Sequence, residues 1–240
     1  LLDQVVAKQL VNYRKFHSLL PRRQSAYRPG HSTETALLKL TSDILTLLDN
    51  GDLARFTLLD LSAAFDTVDH DILLRRLQVS YGINGVVLQW FRSYLTERTQ
   101  YVKHSGGCST TMQVQYGVPQ GSVLGPILFI LYTADLVVLI ERHGLSPHLY
   151  ADDTQILGTS RPAEVTTFRL CMESCIANVG NWVSSNRFQL NTAKTEVMWC
   201  SSVRRRHQAP VNSFIIGSNC VQPVDCVCDL GLYLDTNMSM

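Results

Sequence analysis

The sequence predicts an α+β fold, a small and mainly antiparallel sheet backed by helices, and three observations carry that expectation. Apolar residues recur at helical spacing over long stretches, as in Thr33 to Leu48. Short apolar runs, Phe56 to Leu59 and Glu196 to Cys200, have the length of buried strands. Finally, His148 to Leu157 sets apolar or aromatic residues on both sides of Ala151-Asp152-Asp153, which reads as two short strands with an acidic pair at their turn.

The elements follow in order. Leu2, Val5, Val6, Leu10 and Tyr13 recur at near-helical spacing with Lys and Arg between them, so residues 1–20 should hold an amphipathic helix. The turn formers of Pro21 to His31 predict a basic loop, and Thr33 to Leu48 a helix stopped by Asn50-Gly51. Phe56 to Leu59 should be a buried strand that ends at Asp60, with a helical period running from Ser62 to Leu77. Gly85 to Tyr94 is helix-like, Gln100 to Val114 suits a hairpin turning at Gly106-Gly107, and Pro119-Gln120-Gly121 introduces a long apolar helix. Arg161 to Asn186 should be mostly helical. Beyond the strand at Glu196 come an arginine loop at 204–206 and strand-like runs at Phe214 to Ile216 and Gly231 to Leu234.

At 240 residues, with 45% hydrophobic and 17% charged residues, the chain can bury a core as one globular domain, or one with a small appendage. A net charge of +1 gives no global attraction to nucleic acid, so such binding would rest on local basic clusters. The seven cysteines are odd in number and lack paired CxxC spacing, which suits free intracellular thiols; a zinc cluster of His207, Cys220, Cys226 and Cys228 is the sharper alternative. The longest apolar stretch, Val123 to Ile140, contains Gly125, Pro126 and Asp135 and so suits a buried helix rather than a membrane span.

An acidic residue at the end of a buried strand is costly without a partner, and there are two such places, Asp60 and Asp152-Asp153. If adjacent strands bring them together, their mutual repulsion demands a cation. Oxygen ligands select a hard ion, and a Mg²⁺ pair about 3.5–4 Å apart is a standard device for in-line displacement at phosphorus. From the acids alone, helix capping and hairpin turns explain them as readily.

The surroundings narrow the choice. Phe56 to Asp69 (FTLLDLSAAFDTVD), Tyr116 to Leu128 (YGVPQGSVLGPIL) and Tyr150 to Asp153 (YADD) resemble motifs A, B and C of reverse transcriptases. Gln189 to Met198 resembles motif D, and Gly231 to Ser239 the turn before the thumb. Gln24 to Leu37 resembles the segment before motif A in LINE-like and group II intron enzymes. In this order, over nearly the whole chain, the motifs resemble those of non-LTR (LINE-like) retrotransposon reverse transcriptases.

The resemblance implies a polymerase palm with partial fingers: 1–55 partial fingers and lead-in helices, 56–200 palm, 201–240 the end of the palm and a truncated start of the thumb. It implies RNA-directed DNA synthesis on an RNA template and DNA primer, with dNTP as substrate, Mg²⁺ as cofactor (Mn²⁺ the alternative) and no membrane. Asp60 and Asp152 would bind metal together with the Leu61 carbonyl, and Asp153 would support them. Gln120 and Gly121 would lie against the template and incoming nucleotide. Phe65 would close off the space for a ribose 2′-hydroxyl, although an aromatic packing the first helix turn fits it as well locally. Lys194 would protonate or neutralise the departing pyrophosphate, against the plainer reading of a solvated lysine. Arg28 could touch template or triphosphate, or tie its loop to the palm.

Early finger segments, thumb, endonuclease, RNase H and zinc knuckle are not recognised, so the chain reads as a piece of a longer polyprotein or a decayed genomic copy; the resemblance implies an intracellular place, nucleus or cytoplasm. Two other readings stand beside polymerisation: a catalytically silent remnant that keeps the fold, and an unrelated metal phosphohydrolase, for which His148 is the sole nearby histidine in sequence.

Overall fold

In the computed structural model the residues described are 2–210, 212–216 and 219–238. Helix α1 spans Leu2–Phe16 and α2 Thr33–Asp49. Strands β1 (Leu53–Leu59) and β2 (Leu61–Ser62) precede α3 (His70–Val79) and α4 (Gly85–Leu95). Four two-residue strands, β3 (Thr99–Gln100), β4 (Lys103–His104), β5 (Gly107–Cys108) and β6 (Met112–Gln113), build nested hairpin pairs. Then come α5 (Leu124–Tyr132), α6 (Asp135–Glu141), β7 (Ser146–Tyr150), β8 (Asp153–Ser160) and α7 (Val165–Ser185). β9 (Gln189–Leu190), β10 (Glu196–Cys200), β11 (Phe214–Ile216), β12 (Asn219–Val221), β13 (Cys226–Asp229) and β14 (Leu232–Asp235) complete the order.

These elements fall into two units that interleave along the chain. One comprises Leu1–Leu20, Ala63–Thr133 and Asn186–Phe188; the other comprises Pro21–Ser62, Ala134–Ser185 and Gln189–Met240.

The second unit holds a four-stranded sheet in the order β10-β1-β8-β7, antiparallel at every pairing. This is the small antiparallel sheet the sequence predicts, with the strands leading to Asp60 and Asp153 side by side at its centre. A strand covered on both faces has no need to alternate apolar with polar residues. β1 is such a strand: Ala54 and Phe56 pack under Leu37, Leu40 and Ile44 of α2, while Leu53 faces the cluster of Ile176, Trp199 and Phe214. α2 itself begins with a capping box, in which Ser32 accepts from the Thr35 amide and the Thr35 hydroxyl accepts from the Ser32 amide.

β1 starts three residues before the expected Phe56, because the fully buried Arg55 is accommodated inside the strand. Its guanidinium lies 3.6 Å from the centre of the Phe214 ring, and burial pushes its pKa down to about 9.

The first unit is helical apart from its hairpins. Tyr13 of α1 donates to the Tyr81 carbonyl (2.8 Å), and the Tyr81 hydroxyl donates to the Leu131 carbonyl of α5 (2.6 Å). Tyr132 and Arg76 both reach Asn186, at its carbonyl (2.8 Å) and its side-chain oxygen (2.7 Å).

Two helices depart from expectation. The period read from Ser62 onward becomes β2, a 3-10 turn at Ala64–Asp66, and α3 only from His70. Ala63 takes a left-handed φ of 47°, which ends any helix there, and Asp69 caps α3 by accepting from the Ile72 amide at 3.0 Å. The long apolar stretch is two helices, α5 and α6, parted at Thr133-Ala134. By length and composition Leu124–Glu141 could cross a membrane, but 67% of it is buried inside the protein.

Candidate active site

The register of the sheet assembles the acids. β1 and β8 run antiparallel through Leu59↔Thr154, and one step further the two chains reach Asp60 and Asp153. β7 and β8 end at Tyr150↔Asp153, which leaves Ala151 and Asp152 as the turn. Cross-strand neighbours lie about 5 Å apart at their β-carbons, and like charges placed so repel.

That repulsion is visible in the protonation equilibria. Burial first, then the charges of Asp152 and Asp60, pushes the Asp153 carboxyl up to about 6. Burial also raises Asp152, to which the charge of Asp60 adds, while a backbone hydrogen bond and Lys194 act the other way. Lys194 stands beside the acids, with Nζ 3.7 Å from Asp60 Oδ2 and its side chain largely in solvent. The backbone sets it there: the Asn191 amide donates to the Asp60 carbonyl (2.8 Å), and Thr192–Lys194 then forms a 3-10 turn.

Asp60, Asp153 and Lys194 line one cavity of about 330 Å³ with Leu58, Leu59, Ala193, Glu196 and Cys228. Among the described residues no three His, Cys, Asp or Glu side chains are gathered closely enough to form a ready coordination group. The acids share one field without yet forming a cage. Their donor set, all oxygen and mutually repelling, nevertheless fits a hard divalent cation. The same result leaves the zinc alternative at His207, Cys220, Cys226 and Cys228 without a gathered ligand set.

Leu61 follows directly in β2, paired with Leu190 of β9. Arg28 spends its Nη1 on the carbonyls of Pro21 and Gln24, both at 3.0 Å, and so closes its own loop. Ser239, the last residue of the run resembling the turn before the thumb, lies outside the described residues.

The other predicted residues belong to the helical unit. Phe65 is half-buried, its ring stacked on Phe129 of α5 with centroids 4.2 Å apart. Gln120 is exposed and donates to Asp66 Oδ1 at 2.7 Å. Gly121 has φ +74°, and a β-carbon there would meet no protein atom within 4 Å, so the conformation, not crowding, requires glycine. Crowding instead acts at Gly117, where φ is +86° and a β-carbon would come within 2.8 Å of the Asp66 carbonyl oxygen. Around Gln120 and Asp66, residues 98–100, 114 and 116–119 line a groove of about 550 Å³.

Sequence reasoning missed several neighbours of the acids. Burial raises the pKa of Tyr27, and the charge of Asp152 raises it further. Asp229 on β13 is buried and accepts from Gln155 (2.7 Å); burial first, with the charge of Asp153 adding, pushes it up to about 7. For Asp229 and Gln155, polar residues inside otherwise apolar strands were the available signal, and only their pairing across the fold gives them meaning.

A family model described as reverse transcriptase (RNA-dependent DNA polymerase) matches residues 1–213. The probable RNA-directed DNA polymerase from transposon BS of Drosophila melanogaster is 33% identical over 167 residues, 67% of this chain and 18% of that protein. The corresponding probable enzyme of transposon X-element, from the same organism, is 28% identical over 213 residues, 87% of this chain and 23% of that protein. The chain thus spans about a fifth of the length of these relatives. Among solved structures, apo telomerase from Candida tropicalis truncated from its C-terminal domain superposes with a TM-score of 0.61 at 14% identity, covering 97% of this chain and 44% of that one. Telomerase from Candida albicans, in complex with a fragment of telomeric RNA, gives 0.60 at 14% identity, covering 99% of this chain and 38% of that one. At such identity the likeness is one of fold.

Proposed function

The chain belongs to the reverse transcriptase (RNA-dependent DNA polymerase) family, and from that premise we propose that it is the polymerising core of a non-LTR retrotransposon enzyme. It adds dNTP to a DNA primer 3′-hydroxyl on an RNA template. In this reading residues 1–55 are partial fingers and lead-in helices, 56–200 the palm, and 201–240 the end of the palm and start of the thumb.

One observation carries the reading: the antiparallel register that delivers Asp60 and Asp153 to the same end of the sheet, with Asp152 in the adjoining turn. Asp60 and Asp152, with the Leu61 carbonyl and support from Asp153, would hold Mg²⁺ or Mn²⁺. Such a pair of ions, when bound, supplies positive charge for the attacking and leaving oxygens of an in-line displacement at phosphorus. Lys194 supplies a further positive charge and a proton for the departing pyrophosphate, a role suited by its place beside Asp60. Phe65 excludes the ribose 2′-hydroxyl. Gln120 and Gly121 contact template and nucleotide, and Arg28 shapes the loop ahead of them in sequence or meets the triphosphate directly.

The test is primer extension on an RNA template with Mg²⁺ or Mn²⁺, comparing this chain with one lengthened at both ends by its native flanks. Template-dependent extension that stops on chelation supports the assignment. Failure of both chains with either metal would leave a fold-retaining remnant instead.

A further inference from the structure

The acidic turn contains a residue in a conformation that its own side chain disfavours. Ala151 sits at φ 56°, in the left-handed region, with only 9% of its surface exposed. The β7–β8 hairpin closes this turn at Tyr150↔Asp153, and a turn that presents metal-binding carboxylates must hold such a geometry reproducibly.

A further restraint comes from Gln24, 127 residues earlier in the chain. Its Oε1 accepts from the Ala151 amide (3.3 Å) and from the Ala26 amide (2.9 Å), while Nε2 donates to the Ala151 carbonyl (3.5 Å). One side-chain amide thereby meets both backbone groups of the strained residue, as a neighbouring strand would. The backbone around Gln24 is fixed to the same edge: the Ser25 amide donates to the Leu149 carbonyl (2.8 Å), and the Leu149 amide to the Arg23 carbonyl (2.9 Å), a parallel bridge beside β7. Arg28 in turn holds the Gln24 carbonyl. Gln24 is 1% exposed, so an unpaired amide there would be costly and its partners are specific.

We propose that Gln24 is a positioning residue for the polymerase reaction, locking the Ala151 peptide so that Asp152 and Asp153 are presented in metal-binding geometry. The inference rests on the polymerase reading for its purpose, but the lock itself is tested without turnover. In Gln24→Ala the Ala151 amide should exchange with solvent at least about ten-fold faster, since its acceptor is gone. Mn²⁺ affinity, measured by calorimetry on the chain as it stands, should fall about ten-fold or more, as for other residues that orient metal ligands indirectly. Gln24→Met keeps nearly the same volume without the polar atoms, and serves if the alanine variant fails to fold. A purely space-filling role would leave Mn²⁺ affinity untouched in that variant. Adding Ala151→Gly, which adopts positive φ without penalty, should recover part of the loss, a coupling that simple destabilisation would not show.

Mn²⁺ affinity within two-fold of the parent in a folded Gln24 variant, with Asp152→Asn binding abolished, overturns the proposal. Unchanged exchange of the Ala151 amide overturns it as well. If the parent chain binds no Mn²⁺ and its lengthened form extends no primer, the polymerase reading fails instead, and amide exchange alone then decides whether the lock exists.

Discussion

Two turns carry residues to which the proposed function gives a role, and a distant segment meets each of them through different atoms. At Tyr150–Asp153 the left-handed position is an alanine, buried and tied on both backbone groups to Gln24 from a remote segment. At Pro119–Ser122 the left-handed position is Gly121, exposed, and the closing bonds are local: the Ser122 amide and hydroxyl both donate to the Pro119 carbonyl, at 3.2 and 2.7 Å. Both turns are closed locally, the first as the two-residue turn of the β7–β8 hairpin, and each also bonds to a distant segment: Gln24 holds the backbone of Ala151, whereas Asp66 holds only the side chain of Gln120.

The largest expected effect lies at the first turn. Asp152→Asn removes the proposed metal-binding charge without removing volume, so folding should survive while primer extension by an active, lengthened chain falls at least about 100-fold, several kcal/mol of transition-state stabilisation. Activity above about one per cent of the parent would end the assignment of Asp152.

The next comparison breaks the local turn. Gly117→Ala meets both a positive φ and the Asp66 backbone at 2.8 Å, and should cost about 3 kcal/mol in denaturant unfolding. Gly121→Ala meets the positive φ alone, with open space around the new methyl, and should cost only about 1–2 kcal/mol. Equal losses would show that crowding at Asp66 does not distinguish them.

The support beneath the first turn can be probed by pH. His148 of β7 is buried, its Nε2 3.2 Å from Arg23 Nη1 and 3.3 Å from Asp43 Oδ2, and Lys39 pairs with the same aspartate. Burial, then the Arg23 charge, lowers its pKa from 6.5 to about 4, while Asp43 pulls weakly the other way. The ring is therefore neutral in the folded protein at neutral pH. As pH falls through 6.5 the unfolded chain takes up a proton that the folded chain refuses, so stability present above 6.5 is lost progressively down to about 4. The loss should approach about 2–3 kcal/mol, and a His148→Gln variant should show a flatter profile over that window.

The smallest effect is one of selectivity, at Phe65. Its half-buried ring, stacked on Phe129, is compatible with packing and with a gate. Phe65→Val should lower the ratio of kcat/KM for dNTP over rNTP by about ten-fold in an active, lengthened chain. A constant ratio would make it a packing residue only.

Much of this was legible beforehand for a local reason. The apolar period from Thr33, Asp60 at the end of Phe56–Leu59 and the acids between two aromatic-apolar runs are short-range patterns, and the helix and strands appear where they point. In one place where local pattern misled, a distant neighbour was responsible. Arg55 ends the apparent strand in sequence but continues it in space, because Phe214 covers its guanidinium. The period from Ser62 is broken locally instead, at Ala63, whose left-handed backbone leads only into the short 3-10 turn at Ala64–Asp66.

By itself, then, the sequence determined which residues can carry chemistry and which segments can be strands, since residue type and periodicity act over a few positions. The tertiary structure alone decided that β10, β1, β8 and β7 pair in that order, that β1 and β8 stay in register up to Leu59↔Thr154, next to Asp60 and Asp153, and that Gln24 holds Ala151. The reason is physical: strand order, register and side-chain clamps are bonds between segments far apart in the chain, and no local pattern encodes which partner each donor and acceptor will find.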